Sequence, residues 1–503
     1  MGLSLEGAQR DLELLGLWLY LDFCPPAFQV YLLSSLFVLL SKDLAVNFMA
    51  IYYASCASGL ESVLISEVKV LGEASKLSDS PAFGGVCFST VASLETIYKL
   101  RSADNVYAFV GHFQDVPISK DSAVSYLKNL VKKIDWGPSL EILKRWKAFS
   151  DKEDTSLFYK DTPWSNSNMR FRVTCDRKCI TMRKHPFTSM DAAAALGDGI
   201  NSLFGWTGDM RRYDVEVIAW IRDTELLLLI ALLYSNSEAK KVACCDGALA
   251  PRLPWSIKLE NVKDDDDSAS KTCEGKVSVS LPRPSRSDSQ LYSHRRYRHA
   301  LIGTSLKPSI AYALLQLGDI QTGHLILDPM CGCGTIPLEA ADCMAGRIAC
   351  LAGDISSKAV NAARENSEER EIKGSCDVLQ WDATNLALRS NCVDRVLCDM
   401  PFGIRCGSPQ RREWLCPKVL REIVRVLRQD TGAAILLSHS KSMRHEIEEN
   451  QRLFLQVLES LPIDMEGIRL EVLIIRRTSA PAPIQIPKNS KKLTRRQDAD
   501  ISN

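Results

Sequence analysis

The stretch HLILDPMCGCGT, at residues 324–335, has the form of a buried strand followed by a tight turn and the start of a helix. Its apolar run LIL, at 325–327, is typical of a strand covered on both faces. Gly332 and Gly334 would let the backbone approach a ligand closely, because glycine has no Cβ. No lysine follows the last glycine, so a triphosphate-binding loop is not indicated. The pattern favours a binding loop, with a tight ligand-free turn as the alternative.

Helical and strand-like patterns alternate from Ser305 to residue 478. The helical runs are LKPSIAYALLQL, TIPLEAADCMA, KAVNAARENSE and VLREIVRVLR. The strand-like runs that follow HLILDPM are RIACLAGD, CDVLQWDA, VDRVLCDMP, AAILLSH and LEVLIIRR. This alternation predicts a doubly wound α/β sheet. Ligands of such sheets bind beyond the carboxyl ends of the strands, which is where the glycine turn would lie.

Acidic residues stand at the ends of successive predicted strands. Asp328 ends the first strand, Asp354 the second and Asp382 the third. A carboxylate at Asp354 could accept hydrogen bonds from ribose hydroxyls, and one at Asp382 could accept a bond from an adenine amino group. The alternatives are an acid near a helix N-terminus at Asp354 and a plain turn aspartate at Asp382. Together with the glycine turn, the three acids favour an adenosine with a short carboxylated tail.

The fourth strand ends in DMPFG, at residues 399–403. Asp399 and a backbone carbonyl beside Pro401 could accept two N–H bonds from a planar amino group, and Phe402 could stack on the ring that carries it. Accepting those protons would direct the nitrogen lone pair toward an electrophile. The alternative is a proline turn with a core phenylalanine.

The first half of the chain contains two smaller α/β patterns. Residues 49–164 read strand, helix, strand, helix, strand and then a polar connection, which predicts a ferredoxin-like α+β module. Residues 165–235 contain strand-like FRVTCDR, YDVEVIAWI and ELLLLIALL around a helix. Residues 236–292, with the run DDDD, have the composition of a linker or insertion, and the basic tail 479–503 that of a disordered segment.

Net charge, cysteine spacing and the length of the apolar runs argue against a globally basic nucleic-acid-binding protein, a metal site and a membrane span. The net charge of the 503 residues is only +1, so any nucleic-acid surface must be a local patch. The 17 cysteines are scattered and lack paired C-x₂-C spacing, which predicts reduced thiols without a metal in a cytoplasmic, or alternatively nuclear, protein. Residues 1–48 contain the apolar run 28–40, which is short of the roughly 20 residues that a membrane span needs. No membrane attachment is therefore expected.

The motifs DPMCG and [DN]-x-P-[FY], in this order, resemble the amino-methyltransferases that use S-adenosylmethionine. The longer strings LQWDATNLALRS, VDRVLCDMPFG, FRVTCDR, YDVEVIAWI and LRSADNVYAF resemble THUMP-domain tRNA guanosine N2-methyltransferases. The resemblance covers residues 49–115 and 165–480. It implies a C-terminal Rossmann-like class I methyltransferase domain at 293–478, preceded by the ferredoxin-like module and a THUMP RNA-binding domain.

Site residues follow from the resemblance. It implies S-adenosyl-L-methionine as the cofactor, bound by Asp328, Pro329, Cys331, Gly332, Gly334, Asp354 and Asp382. It places Asp399, Pro401 and Phe402 around the target guanine. Cys333 and Met400 depart mildly from the family pattern, and Met400 is expected to point away from the site.

The resemblance also implies macromolecular partners. The THUMP domain would grip the 3′ end of tRNA through phosphate-binding residues, predicted to be Arg170, Arg172, Arg177, Lys178, Arg183, Lys184, Arg211 and Arg212. The target would be a guanosine of the acceptor stem, at about position 6 or 7, selected by distance and shape. A small zinc-binding activator subunit would complete a heterodimer.

Other functions remain open at this point. The acid-x-Pro-aromatic motif also serves DNA adenine and protein glutamine N-methyltransferases, although residues 49–235 argue against these. Another small structured RNA, such as a spliceosomal snRNA, could be the substrate. A catalytically silent RNA-binding protein and a membrane anchor at 28–40 are the alternatives from other classes.

Overall fold

The computed structural model describes residues 50–70, 75–79, 83–97, 99–150, 169–180, 185–211, 213–232, 295, 297–303, 305–368, 374–400, 409–438, 442–465 and 467–482. The predicted extension 1–48, insertion 236–292 and most of the basic tail lie outside these ranges. No helix within them has the length and apolar character to cross a bilayer.

The first half of the chain forms a single mixed sheet. Its strands are β1 Ala50–Ser55, β2 Ser75–Asp79, β3 Gly85–Thr90, β4 Asn105–Phe113, β5 Arg170–Lys178, β6 Thr207–Gly208, β7 Val215–Arg222 and β8 Glu225–Ala231. They lie in the order β2-β3-β1-β4-β8-β7-β5-β6. The antiparallel pairing of β4 with β8, from Tyr107 opposite Ala231 to Phe113 opposite Leu226, joins the two predicted modules into one sheet.

Helices accompany this sheet. They are α1 Glu61–Val70, α2 Leu94–Ile97, α3 Lys120–Leu130, α4 Gly137–Ser150 and α5 Ser189–Phe204. The helix α5 begins with a capping box, in which Thr188 and Asp191 satisfy each other's backbone N–H groups, and ends at Gly205 in the left-handed region. The second helix predicted for residues 49–164 corresponds to the four-residue α2, and α3 and α4 were not predicted.

The second half is the predicted doubly wound domain. Its strands are β9 Leu325–Asp328, β10 Ala349–Asp354, β11 Cys376–Gln380, β12 Arg395–Asp399, β13 Ala433–Ser438, β14 Leu455–Met465 and β15 Ile468–Arg477. The order is β11-β10-β9-β12-β13-β15-β14, with β9 to β13 parallel and the last two strands antiparallel. Strand β14 was missed in the sequence because its residues, such as Glu459 and Asp464, interrupt the apolar pattern.

The helices of this domain cover both faces of its sheet. They are α6 Pro308–Leu317, α7 Thr335–Met344, α8 Ser357–Ser367, α9 Pro409–Val426 and α10 Ser442–Glu446, followed by a π-helical turn at Ile447–Gln451. Ile310 and Leu338 lie in the core on one face, and Leu420 and Ile423 in the core on the other. The strand order reverses between β9 and β12, so a switch point lies beside the carboxyl end of β9.

Candidate active site

The loop between β9 and α7 is fixed to the neighbouring strand. The amide of Cys331 donates to Gly353 O at the end of β10, over 2.9 Å. Gly334 caps α7 with φ of 83°, and a Cβ added to it would lie 3.1 Å from Leu338 Cδ1 and 3.2 Å from Ala363 Cβ. Glycine is therefore needed here for backbone conformation and packing, whether or not a ligand is bound.

Asp354 organises the same loop. Its Oδ2 accepts a hydrogen bond from Gly332 N over 3.1 Å, and its Oδ1 accepts one from Ser356 N over 2.9 Å, just before α8. The carboxylate is half-buried, and its oxygens can accept further bonds. Asp354 is thus the acid near a helix N-terminus that one alternative from the sequence proposed, and ribose binding by it stays a prediction.

Asp328 is almost completely buried at the end of β9. Its Oδ1 accepts a hydrogen bond from Met330 N over 3.1 Å. Burial raises the pKa of Asp328 well above its usual range, and the nearby carboxylates of Asp399 and Asp354 raise it further against the opposing bond from Met330. The strand ends are therefore close enough for their charges to interact.

Trp381 fills the space between these strand ends, which the sequence did not indicate. Its Nε1 donates to Pro329 O over 3.0 Å. A Cβ added to Gly353 would lie 2.2 Å from Trp381 Cε2, so the indole packs directly on that glycine. The adjacent Asp382 is exposed, and its Oδ1 accepts bonds from Thr384 N and Oγ1, both 2.8 Å. Asp382 thus forms the turn that one alternative proposed, at the rim of the crevice.

Asp399 ends β12, the strand next to β9 on the side opposite β10. The following residue, Met400, is buried in the core and donates its amide to Leu437 O over 2.9 Å. Met400 therefore points away from the crevice, as predicted. Pro401 and Phe402 lie outside the described residues.

A segment before α6 forms another wall of the site. Asn366 on α8 donates to Ala300 O and Cys333 O, both 2.9 Å, and accepts bonds from His299 N and Ala300 N. A Cβ on Gly332 would lie 3.5 Å from Ile302 Cδ1 of this segment. Nothing in the sequence pattern marks Asn366, because its partners are far away along the chain.

The predicted phosphate-binding residues differ in their surroundings. Lys178 and Arg211 are exposed, and the side chain of Arg170 is 37% exposed beside Asp214. Arg172 is different, because its side chain is 10% exposed and its Nε donates to the buried Glu216, directly opposite on β7, over 3.0 Å.

The guanidinium of Arg177 lies over the ring of Phe187, 5.5 Å from its centre. The other predicted residues of this group, Arg183, Lys184 and Arg212, lie outside the described ranges.

Comparison with known proteins identifies relatives of the chain. Residues 295–459 match the family UPF0020, described as RMKL-like, methyltransferase domain. The human tRNA (guanine(6)-N(2))-methyltransferase THUMP3 is 27% identical over 84% of this chain and 88% of its own length. The tRNA (guanine(6)-N2)-methyltransferase of Thermus thermophilus is 38% identical over 48% of this chain and 53% of its own. The U6 snRNA (guanine-N(2))-methyltransferase THUMPD2 of Bos taurus is 25% identical over 56% of this chain and 43% of its own.

Solved structures share the fold of most of the chain. TrmN from Thermus thermophilus matches with a TM-score of 0.57 and 21% identity, over 85% of this chain and 99% of that one. SMU.472, a methyltransferase crystallised with SAH, matches with a TM-score of 0.53 and 13% identity, over 87% and 99%. The predicted class I methyltransferase fold is thereby confirmed. The resemblance found in the sequence is confirmed as well: residues 295–459 match the UPF0020 methyltransferase domain, and the chain is similar over most of its length to the THUMP3 tRNA (guanine(6)-N(2))-methyltransferases.

Proposed function

We propose that this protein transfers a methyl group from S-adenosylmethionine to the exocyclic N2 of a guanosine in tRNA. The observation that carries the proposal is the convergence of three acidic strand ends, at Asp328, Asp354 and Asp399, on the switch-point edge of the second sheet, with Asp382 in the turn just after β11. The similarity to relatives named for tRNA guanine N2-methylation supports the choice of reaction.

The donor set fits the cofactor. Asp354 and Asp382 offer carboxylate acceptors for the hydroxyl and amino groups of an adenosine. Ile355, 60% exposed beside Asp354, offers an apolar surface for the flat ring. The loop 328–335 brings backbone close to the carboxyl end of β9. When bound, S-adenosylmethionine supplies a methyl group on a sulfonium, so the electrophile is already activated.

The protein's own contribution is to position the amine. The Asp399 carboxylate, with a carbonyl beside Pro401, would accept hydrogen bonds from the N2 amino group and hold the nitrogen lone pair toward the crevice. The methylated nitrogen would then lose one proton to water. Phe402 would stack on the guanine once that base has left its helix. Positioning of this kind accounts for most of the rate in a single displacement.

The cations of the middle module support a nucleic-acid surface there. We assign phosphate contacts to Arg170, Arg177, Lys178 and Arg211, while the ion pair with Glu216 gives Arg172 a structural role. Phosphate contacts from Arg183, Lys184 and Arg212 stay predictions of the sequence. The zinc-binding activator subunit and the cytoplasmic or nuclear location stay predictions of the sequence alone. The predicted target at about position 6 or 7 agrees with the names of the relatives, which specify guanine 6.

Nucleoside mass spectrometry of tRNA from cells that lack the protein tests the proposal. N2-methylguanosine should fall in a subset of tRNAs and return with the wild-type chain. Asp399→Asn should fail to restore it while the purified variant still binds S-adenosylhomocysteine, because Asp399 contacts the base. Asp377→Asn changes an exposed acid near the amino end of β11, away from the carboxyl ends of the strands, and should restore it fully. A loss of N2-methylguanosine confined to U6 snRNA would identify that RNA as the substrate instead of tRNA. No loss of N2-methylguanosine in any RNA would refute the proposed function.

A further inference from the structure

The N-terminal module, comprising β1 to β4 and α1 to α4, touches the methyltransferase domain backbone to backbone. Ser58 O accepts a hydrogen bond from Asp464 N of β14 over 2.9 Å. The next residue, Gly59, has φ of 96°, and a Cβ added there would lie 2.1 Å from Pro462 O. Only glycine allows this approach, because any side chain would push the two backbones apart.

Apolar side chains continue the contact beside Gly59. Leu60, just before α1, and Val63 within it are buried in the same cluster as Ile310 and Ile463 of the methyltransferase domain. The core of that domain therefore extends into the N-terminal module. An interface that shares one dry core resists sliding, since its side chains interdigitate.

A buried acid ties the same two parts together. Glu339 on α7 is fully buried and accepts hydrogen bonds from Arg101 Nε over 2.9 Å, Arg295 Nε over 2.9 Å and Tyr297 Oη over 2.5 Å. Arg101 belongs to the loop between α2 and β4 and also pairs with Asp342. Burial alone would raise the pKa of Glu339, but the charges and hydrogen bonds of Arg295 and Arg101 outweigh it and lower the pKa.

A second polar contact lies next to the first. Asp104 accepts a hydrogen bond from Ser309 Oγ at the start of α6 and lies 3.2 Å from Lys307 Nζ. The loop 101–104 is thus attached to both α6 and α7. The helix α7 starts at the cofactor loop, so Glu339 connects this loop to the N-terminal module through little more than one helical turn.

We propose that these contacts lock the N-terminal module to the methyltransferase domain, and that Gly59 and Arg101 are positioning residues that fix the distance between the RNA-binding surface and Asp399. The lock reaches the phosphate-binding residues because β4 pairs with β8, so β5 to β8 belong to the same sheet. The effect on the choice of target nucleotide rests on the proposed function. The rigid docking of the N-terminal module on the methyltransferase domain does not.

Gly59→Ala tests the lock, with Gly323→Ala as the matched control. Gly323 has φ of 86°, and no atom of the described residues lies within 4 Å of a Cβ added there. Both substitutions put an alanine into a left-handed backbone conformation, but only the first forces the modules apart. Small-angle scattering of the full-length protein should show a larger radius of gyration for Gly59→Ala and an unchanged one for Gly323→Ala.

Catalytic activity should distinguish Gly59→Ala from Gly323→Ala in the same way. For Gly59→Ala, kcat with tRNA should fall about 100-fold, because a displacement near 1 Å is enough to misplace the base. The methylated nucleotide should also spread to neighbouring positions of the stem. The affinity for S-adenosylhomocysteine should stay within about twofold, since the cofactor residues are not touched.

Arg101→Met should act like Gly59→Ala, and Arg101→Lys should restore part of the loss. Arg477→Met removes a buried arginine whose hydrogen bonds, among the described residues, go to carbonyls and to the Thr478 hydroxyl of its own domain, so it should lower stability without altering scattering or target position. An unchanged radius and target position in both Gly59→Ala and Arg101→Met would overturn the proposal. If the wild-type protein methylates no RNA, the proposed function fails, while scattering still decides the docking.

Discussion

Replacing Asp354 by asparagine separates the loop-organising role of this residue from ligand binding. The carboxylate accepts Gly332 N on one oxygen and Ser356 N on the other. Asparagine has a single acceptor oxygen, so one of the two amides must face an NH₂ group instead. A hydrogen bond to a charged acceptor contributes about 1.5–3 kcal/mol, and the lower end applies because Asp354 is half-buried.

The free energy of unfolding of Asp354→Asn, without ligand, should therefore fall by about 1.5 kcal/mol. The Kd for S-adenosylhomocysteine should rise more than tenfold, since each 1.4 kcal/mol is about a factor of ten and ribose contacts are lost as well. Urea denaturation and calorimetry measure the two quantities, with Asp377→Asn as the control acid. Stability that stays within about 0.5 kcal/mol of wild type would refute the loop-organising role.

Further predictions follow from other contacts. Gly353→Ala should displace Trp381 and cost about 1–3 kcal/mol of stability in urea denaturation, and combination with Trp381→Leu should cost less than the sum of the two. The raised pKa of Asp328 means that its contribution to stability is fully present below the unfolded pKa of about 4 and is lost as pH rises through the folded pKa, so Asp328→Asn should flatten the decline measured from about pH 4 upward. Arg172→Ala breaks a buried ion pair and should cost about 3–5 kcal/mol of stability, whereas Lys178→Ala should leave stability unchanged and reduce the salt slope of tRNA affinity by about 1.

The sequence predicted the second half of the chain well because its signals are local. Each of β9, β10 and β12 is a short apolar run that ends in an acid. In the structure these three strands end at Asp328, Asp354 and Asp399, as the sequence indicated. Parallel strands bring such ends to the same edge without any further information.

What the sequence could not provide depends on register and distance along the chain. Arg172 looked like a phosphate ligand until pairing placed it opposite Glu216, although an acid inside the apolar run VEVIAWI was a usable signal. Trp381 and Asn366 act through partners that no local pattern identifies. The contacts of Gly59 and Arg101 with the second domain were invisible for the same reason.

The pairing of β4 with β8 has a consequence for synthesis of the protein. Strand β4 is complete at Phe113, yet its partner β8 is translated only by Ala231. Until then β4 presents an open edge, and Tyr53, Phe83 and Tyr107 lack the apolar neighbours that β8 supplies. The first module therefore cannot complete its sheet until the second module has been translated. This stage of synthesis is the most exposed to misassembly and the one where a chaperone would have most effect.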